Sequence, residues 1–394
     1  MTSKDKILIG LVDADLLNGG TRHPNLVLLK LAGFLTDNAI PFRLIIDKDE
    51  NIMEYTTIYM SKVFSFTPDP PFYEKVKKTP NENKFKIGGT GDYAIKKDIK
   101  DFKSSRTRDM NQLENDIFLN NYPNKRGGKK KWGIDMCRQM PYYHLYDEYI
   151  QSKIKAGRKK SYFNDYLYYS IGFLTRGCIR HCPFCVNKLE NKVYRYSELE
   201  WFLDDERNEK GDLIRPYIYL WDDNFLAAPK EIWQPMLQSL IDSKRPFQFR
   251  QGLDERILAE SEDGEEIAQM LSKCKYHGDF IFAFDNWRDR DKIIKALKIW
   301  KRHNSKRGTK FYLFCGYTLK SGEDEKLYND IKILFERIKI LMQYGCFGYV
   351  MRHADYVNHK LSNIYVQIAR WCNQPQFYRY MSFWEYCYRN QSYW

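Results

Sequence analysis

The sequence predicts an α/β protein: an N-terminal Rossmann-like layer, then a barrel-like array of six β/α repeats, then a helical C-terminal extension. Three observations predict it. Apolar runs of strand length alternate with helically spaced stretches over most of the chain. One polar segment rich in turn formers, residues 90 to 165, interrupts that alternation. At 394 residues the chain is longer than a single hydrophobic core usually serves.

In chain order, the apolar run at 6–12 reads as a strand, 24–38 has helical spacing with Pro24 near its start, and 42–46 reads as a strand again. That is a βαβ unit, hence a parallel sheet. Segments 57–60 and 85–89 extend it, so residues 1–120 are expected to form the Rossmann-like domain and 121–165 a linker. Strands are then expected at 167–174, 217–221, 247–250, 280–284, 310–315 and 347–351, with the clearest helices at 230–242, 290–303 and 324–343. Such an array gathers functional groups at the C-terminal ends of its strands. It is expected to span 166–355, leaving 356–394 as the extension.

Composition narrows the function classes. No window has the roughly 18–20 apolar residues of a membrane span, and the N-terminal apolar run is broken by Asp13 and Asp15, too short for a secretion signal. Nine scattered cysteines do not form a disulfide framework, which points to a reducing cytoplasm. A net charge of +13 favours an anionic partner, and the 16% aromatic share suits flat ligands. The densest basic run, 124–132, reads as a solvated loop.

Three of the nine cysteines, Cys178, Cys182 and Cys185, fall within "GCIRHCPFC", just after the first strand of the array. Thiolates prefer iron–sulfur clusters, zinc or cuprous copper. Three of them in one loop can wrap one face of a cluster and leave one iron open, whereas closed structural zinc needs a fourth ligand. Both readings are compatible with the loop itself. The spacing C-x3-C-x2-C, with aromatic Phe184 before the third cysteine, resembles that of the radical S-adenosylmethionine enzymes, and the six-fold alternation that follows is similar to that family's partial TIM-like barrel.

The resemblance implies that Cys178, Cys182 and Cys185 ligate a [4Fe-4S] cluster and that its open iron chelates S-adenosylmethionine. It implies reductive cleavage to methionine and a 5′-deoxyadenosyl radical, for hydrogen abstraction or to drive methyl transfer. A reductase, flavodoxin or ferredoxin would supply the electron. Phe184 would lie against the adenine. Asp222, Asp223 and Asn224 would receive the amino group in place of the family's usual Gly-Gly-Glu, and Arg250, Gln251 and Asp254 would meet the ribose or carboxylate. Asp285, Arg352 and His353, at later strand ends, suit substrate or cofactor contacts and surface ion pairs equally well.

A Rossmann-like domain ahead of such a barrel resembles the cobalamin-dependent subgroup. The D-x-H-x-x-G motif that supplies an axial histidine is absent, and the Gly-rich loops at 19–25 and 87–93, at strand ends, could cradle a nucleotide tail. The C-terminal stretch 368–387 reads first as a helix packing its aromatic residues on the barrel. Its second reading is a lid in which Trp371, Phe377, Tyr378 and Arg379 close over a nucleotide-like substrate. The competing function class is a metal-dependent nucleic-acid-binding module without catalysis, motivated by the charge.

Overall fold

The computed structural model describes residues 7–89, 135–187, 190–317, 319–320 and 322–390. The chain forms two compact units. One comprises 1–181, 185–191 and 196–219, the other 182–184, 192–195 and 220–394. The expected basic loop at 124–132 and most of the Gly-rich loop at 87–93 lie outside the described residues.

The first unit contains a parallel sheet of β1 (Ile9–Asp13), β2 (Phe42–Leu44), β3 (Thr57–Ser61) and β4 (Phe85–Gly88), in the order β2-β1-β3-β4. β1 is buried throughout because both sheet faces are covered, which is why it reads as a continuous apolar run. Ile9 and Leu11 enter one core with Leu28, Leu31 and Tyr146. Val12 enters the other with Ile45, Ile58, Met60 and Phe85. Gly10 faces that second core so closely that a Cβ would sit 3.0 Å from Ile45 and 3.1 Å from Ile58 and Tyr55. Short α1 (Ala14–Gly19) follows β1, α2 (Leu26–Asp37) crosses between β1 and β2, and α3 (Pro71–Val76) precedes β4.

Residues 135–165, expected as linker, supply core side chains: Met136, Tyr143, Tyr146, Tyr149 and Phe163 are all buried, the last three around α4 (Asp147–Lys155). Their aromatic content is what draws a nominally polar stretch inward. α5 (Asn164–Leu167), β5 (Tyr169–Gly172), β6 (Thr175–Gly177), β7 (Val193–Arg195) and β8 (Tyr217–Leu220) follow, and the division between the units falls inside β8.

In the second unit helices and strands alternate: α6 (Lys230–Asp242), β9 (Phe247–Phe249), α7 (Arg256–Glu260), α8 (Gly264–Lys273), β10 (Phe280–Ala283), α9 (Arg290–Asn304), β11 (Thr309–Cys315), α10 (Asp324–Gln343) and β12 (Phe347–Arg352). β10, β11 and β12 form a parallel sheet in that order, in register from Phe280↔Thr309 and Lys310↔Phe347. Single bridges, Phe247↔Tyr276 and Leu253↔Phe282, link the β9 region to β10. The helices expected at 230–242 and 324–343 have those bounds, and every expected strand has a counterpart: β3, β11 and β12 run one residue longer than expected, β1 starts and ends later, and the others are one to four residues shorter. α11 (Asn363–Cys372), α12 (Pro375–Tyr378) and α13 (Phe383–Arg389) complete the chain. Among the described residues no helix is long and apolar enough to cross a membrane.

Candidate functional site

The C-terminal ends of β8 to β12 carry most of the second unit's buried charge. After β8, Asp222 is 1% exposed and Asn224 is 4% exposed, with Asp223 half-buried between them. Asn224 Nδ2 donates to Asp254 Oδ2 over 3.1 Å, while Asp254 Oδ1 accepts from Arg256 Nε over 2.7 Å. Arg256 continues to Asp289 at 2.9 Å, a charge-assisted pair joining the end of β9 to the start of α9. Sequence reasoning singled out Asp254 but not Arg256 or its neighbour Glu255. The signal was present, since "LDERIL" sets three charges among apolar residues that a buried strand end must accommodate.

Glu255 is buried, and its Oε2 accepts the Ala283 N–H over 3.1 Å while Oε1 has no hydrogen-bond partner. Burial, reinforced by the charge of Asp254, raises its pKa well above the ordinary carboxylate range. Asp285, half-buried after β10, accepts the Phe314 N–H over 2.9 Å and is also raised by burial. Beneath it lies Arg337 of α10, 1% exposed. Its Nη1 donates to the carbonyls of Phe284, Phe314 and Asp285 over 2.7, 3.0 and 3.2 Å. Arg337 falls on the stripe of Leu334, Ile338 and Leu341, and a cation in an apolar helical register was the cue that it is buried.

Arg250 is half-buried and donates to Gln248 Oε1 over 3.1 Å, whereas Gln251 is exposed on a turn completed by Gly252 at φ +87°. Arg352 lies over the Tyr356 ring, 4.8 Å from its centroid, and donates to the Tyr356 hydroxyl over 3.1 Å. His353 stacks edge-on against Phe314 and Tyr317, with centroids 5.7 and 5.0 Å away. The same aromatic group receives Phe184, whose ring centroid lies 4.0 Å from Phe314 and 5.8 Å from Tyr317. The short segment Cys182–Phe184 is thus anchored at the end of β11.

All three loop cysteines are half-buried. Cys178 Sγ accepts the Arg180 N–H at 3.3 Å and Cys185 Sγ accepts the Asn187 N–H at 3.4 Å, the kind of donor that tunes cluster-bound thiolates. The donor set therefore fits an iron–sulfur cluster chemically. Among the described residues, no three His, Cys, Asp or Glu side chains gather closely enough around one point to hold an ion. Cys274, Cys315, Cys346 and Cys372 are buried, and burial pushes the first three thiols up to about 12, 12 and 11. These are packing residues.

The lid expectation is corrected. Trp371 and Tyr378 are 3% and 6% exposed, Trp371 Nε1 donates to Met381 O over 2.9 Å, and Phe377 packs on Tyr386. Trp371 on amphipathic α11 and Phe377 and Tyr378 on α12 turn inward to form a local core, and of the four residues only Arg379 is exposed.

In the first unit the strand order reverses between β1 and β3, the place where open parallel sheets admit ligands. Here those strand ends are bridged by the chain's own side chains. Tyr146 Oη donates to Asp13 Oδ2 over 2.9 Å and accepts the Asn25 N–H over 3.1 Å, and Asn25 Nδ2 donates to Ser61 Oγ over 2.8 Å. All four residues are buried. Burial raises the Asp13 carboxyl to about 7 despite the bonds from Leu16 N–H and Tyr146 that favour its charge.

No protein-family model matches the sequence, and no curated protein matches it.

Proposed function

We propose that the chain is a radical S-adenosylmethionine enzyme that modifies a nucleotide-like substrate. The observation that carries the reading is the anchoring of Cys182–Phe184 on Phe314, among strand ends that hold buried acids and guanidinium groups. The alternation of helices and strands from 230 to 352 in the second unit, the order β10-β11-β12 and the bridges from the β9 region to β10 support a partial barrel. The order β2-β1-β3-β4 supports a Rossmann-like N-terminal domain.

Cys178, Cys182 and Cys185 would hold the [4Fe-4S] cluster, which when bound supplies the electron that cleaves S-adenosylmethionine. The protein's part is orientation. Asp222, Asp223 and Asn224 would accept hydrogen bonds from the amino group of S-adenosylmethionine. Asn224 is fixed by Asp254, and Asp254 by Arg256, so that the β8 and β9 ends act as one rigid edge. Burial of Glu255 in that edge raises its pKa and so disfavours added charge there. The bridging of Asp13, Tyr146, Asn25 and Ser61 argues against cobalamin at the β1/β3 switch point, and the reading assigns it no role there.

Anaerobic reconstitution followed by reduction with dithionite tests the proposal. The expected result is iron and sulfide bound together, a broad visible thiolate-to-iron absorption, and 5′-deoxyadenosine formed from S-adenosylmethionine. All three should be lost in Cys178→Ala, Cys182→Ala and Cys185→Ala. Stoichiometric zinc without 5′-deoxyadenosine would instead support the non-catalytic metal-dependent module.

A further inference from the structure

The C-terminal helices divide their aromatic residues into two populations. Phe383 and Tyr386 of α13 face inward, Phe383 packing 5.6 Å from Trp371 and 5.2 Å from Phe335, and Tyr386 packing 5.1 Å from Phe377. Tyr380, Trp384 and Tyr388 face outward and are 81%, 79% and 70% exposed. Trp384 and Tyr388 are four residues apart on one helix face, with Cβ atoms about 5–6 Å apart. Three large rings left so open over nine residues mark an interaction surface, because a folded chain gains nothing from leaving them in water.

The charges around them select the partner. Arg379 and Arg389 flank the rings and are exposed. The single acid within α13, Glu385, is committed to its own helix start, its Oε2 accepting both the Ser382 N–H at 2.8 Å and the Ser382 hydroxyl at 2.9 Å. No exposed large aliphatic side chain accompanies the rings between 376 and 390. The surface is therefore flat aromatic faces bordered by guanidinium groups, on a chain of net charge +13.

We propose that Tyr380, Trp384 and Tyr388, with Arg379 and Arg389, form a docking surface for single-stranded nucleic acid. Bases splayed from the strand stack on the rings, and the arginines meet the phosphates. One helical turn between Trp384 and Tyr388 leaves each ring room for its own base. The inference deepens the substrate class proposed above but stands on residues of its own, away from the cysteine loop in sequence.

The test is fluorescence anisotropy of a labelled single-stranded oligonucleotide of about a dozen nucleotides, RNA and DNA in separate titrations, with the full-length chain at two salt concentrations. Binding should weaken steeply with salt. It should weaken about 10- to 100-fold in a Trp384→Ala, Tyr388→Ala double variant. Arg379→Gln with Arg389→Gln should weaken it and flatten its salt dependence. Because these side chains are exposed, the melting temperature should hold, which separates lost binding from lost folding. Binding unaffected by the ring substitutions overturns the proposal. So does a self-association that the ring substitutions abolish while oligonucleotide binding is absent, and so does binding to phosphatidylserine vesicles with none to oligonucleotide. Cleavage of S-adenosylmethionine by the wild-type chain is scored separately: its failure with ring-dependent binding intact removes the proposed enzyme and leaves the docking surface standing.

Discussion

The two units end their parallel strands in opposite ways. In the first, the β1 and β3 ends are closed by Asp13, Tyr146, Asn25 and Ser61, groups that satisfy one another, with the one carboxyl among them held near neutrality by burial. In the second, the β8 to β11 ends gather Asp222, Asp254, Arg256, Asp285 and Arg337, charges that a chain interested only in stability would leave on its surface. A parallel sheet concentrates polar backbone ends in either case. The difference lies in whether those ends are met by mostly neutral side chains or by charged ones paired with one another and with the backbone.

The largest effect expected from breaking this contrast is at Arg337. Replacing it with Met keeps the aliphatic stem and removes the donor shared by the Phe284, Asp285 and Phe314 carbonyls. The loss should be about 3–5 kcal/mol, read by urea unfolding, with hydrogen exchange accelerating in 280–289 and 309–317 and not in 9–61. Equal acceleration in both regions would show that the units unfold as one and that the strand ends are not separately held.

Next is the pH dependence that Asp13 imposes. Its carboxyl titrates at about 7 in the folded protein, against 3.8 for an ordinary aspartate. The folded pKa is raised, so its contribution to stability is fully present below about pH 4 and is lost as pH rises towards 7. At about 1.4 kcal/mol per unit the loss amounts to as much as about 4 kcal/mol. Asp13→Asn should therefore become progressively more stable than wild type between pH 4 and 7, with a constant margin above that. Parallel stability-versus-pH curves for the two proteins would refute a buried neutral Asp13.

Much of this was legible in the sequence, and the rest was hidden for identifiable reasons. Buried parallel strands are continuous apolar runs, so most strands of both units, and the two helices at 230–242 and 324–343, could be read directly, whereas the three-residue β6 and β7 have no such run to mark them. The cysteine loop could be found because three thiols in eight residues have few meanings. The Asp254–Arg256–Asp289 network was invisible because its partners are 33 residues apart and meet only when β9 and α9 are in place. The bridging of Asp13 by Tyr146 spans 133 residues, and nothing local marks Tyr146 as different from the other 29 tyrosines. The C-terminal rings allowed two readings for a third reason. Composition says that Trp and Tyr are present, but only the helix phase decides that Trp371 packs inward and Trp384 outward.

The smallest predicted effect sharpens the comparison most, because it asks whether the first unit's strand ends form a coupled network. Tyr146→Phe removes one hydroxyl that donates to Asp13 and accepts from the Asn25 N–H, a loss of about 1–2 kcal/mol. The two bonds differ in their response to pH. The bond to Asp13 favours the ionised carboxylate, so its removal should raise the Asp13 pKa above about 7 and should cost more at pH 8 than at pH 5. The bond from Asn25 is between neutral groups and should cost the same at both. In the Asp13→Asn background the pH-dependent part must vanish, leaving only the constant part, so a double-mutant cycle run at the two pH values separates them. A Tyr146→Phe cost that is equal at pH 5 and pH 8, and unchanged by Asp13→Asn, would mean that the hydroxyl and the carboxyl do not interact and that Asp13 at the β1 end stands outside the network of Tyr146, Asn25 and Ser61.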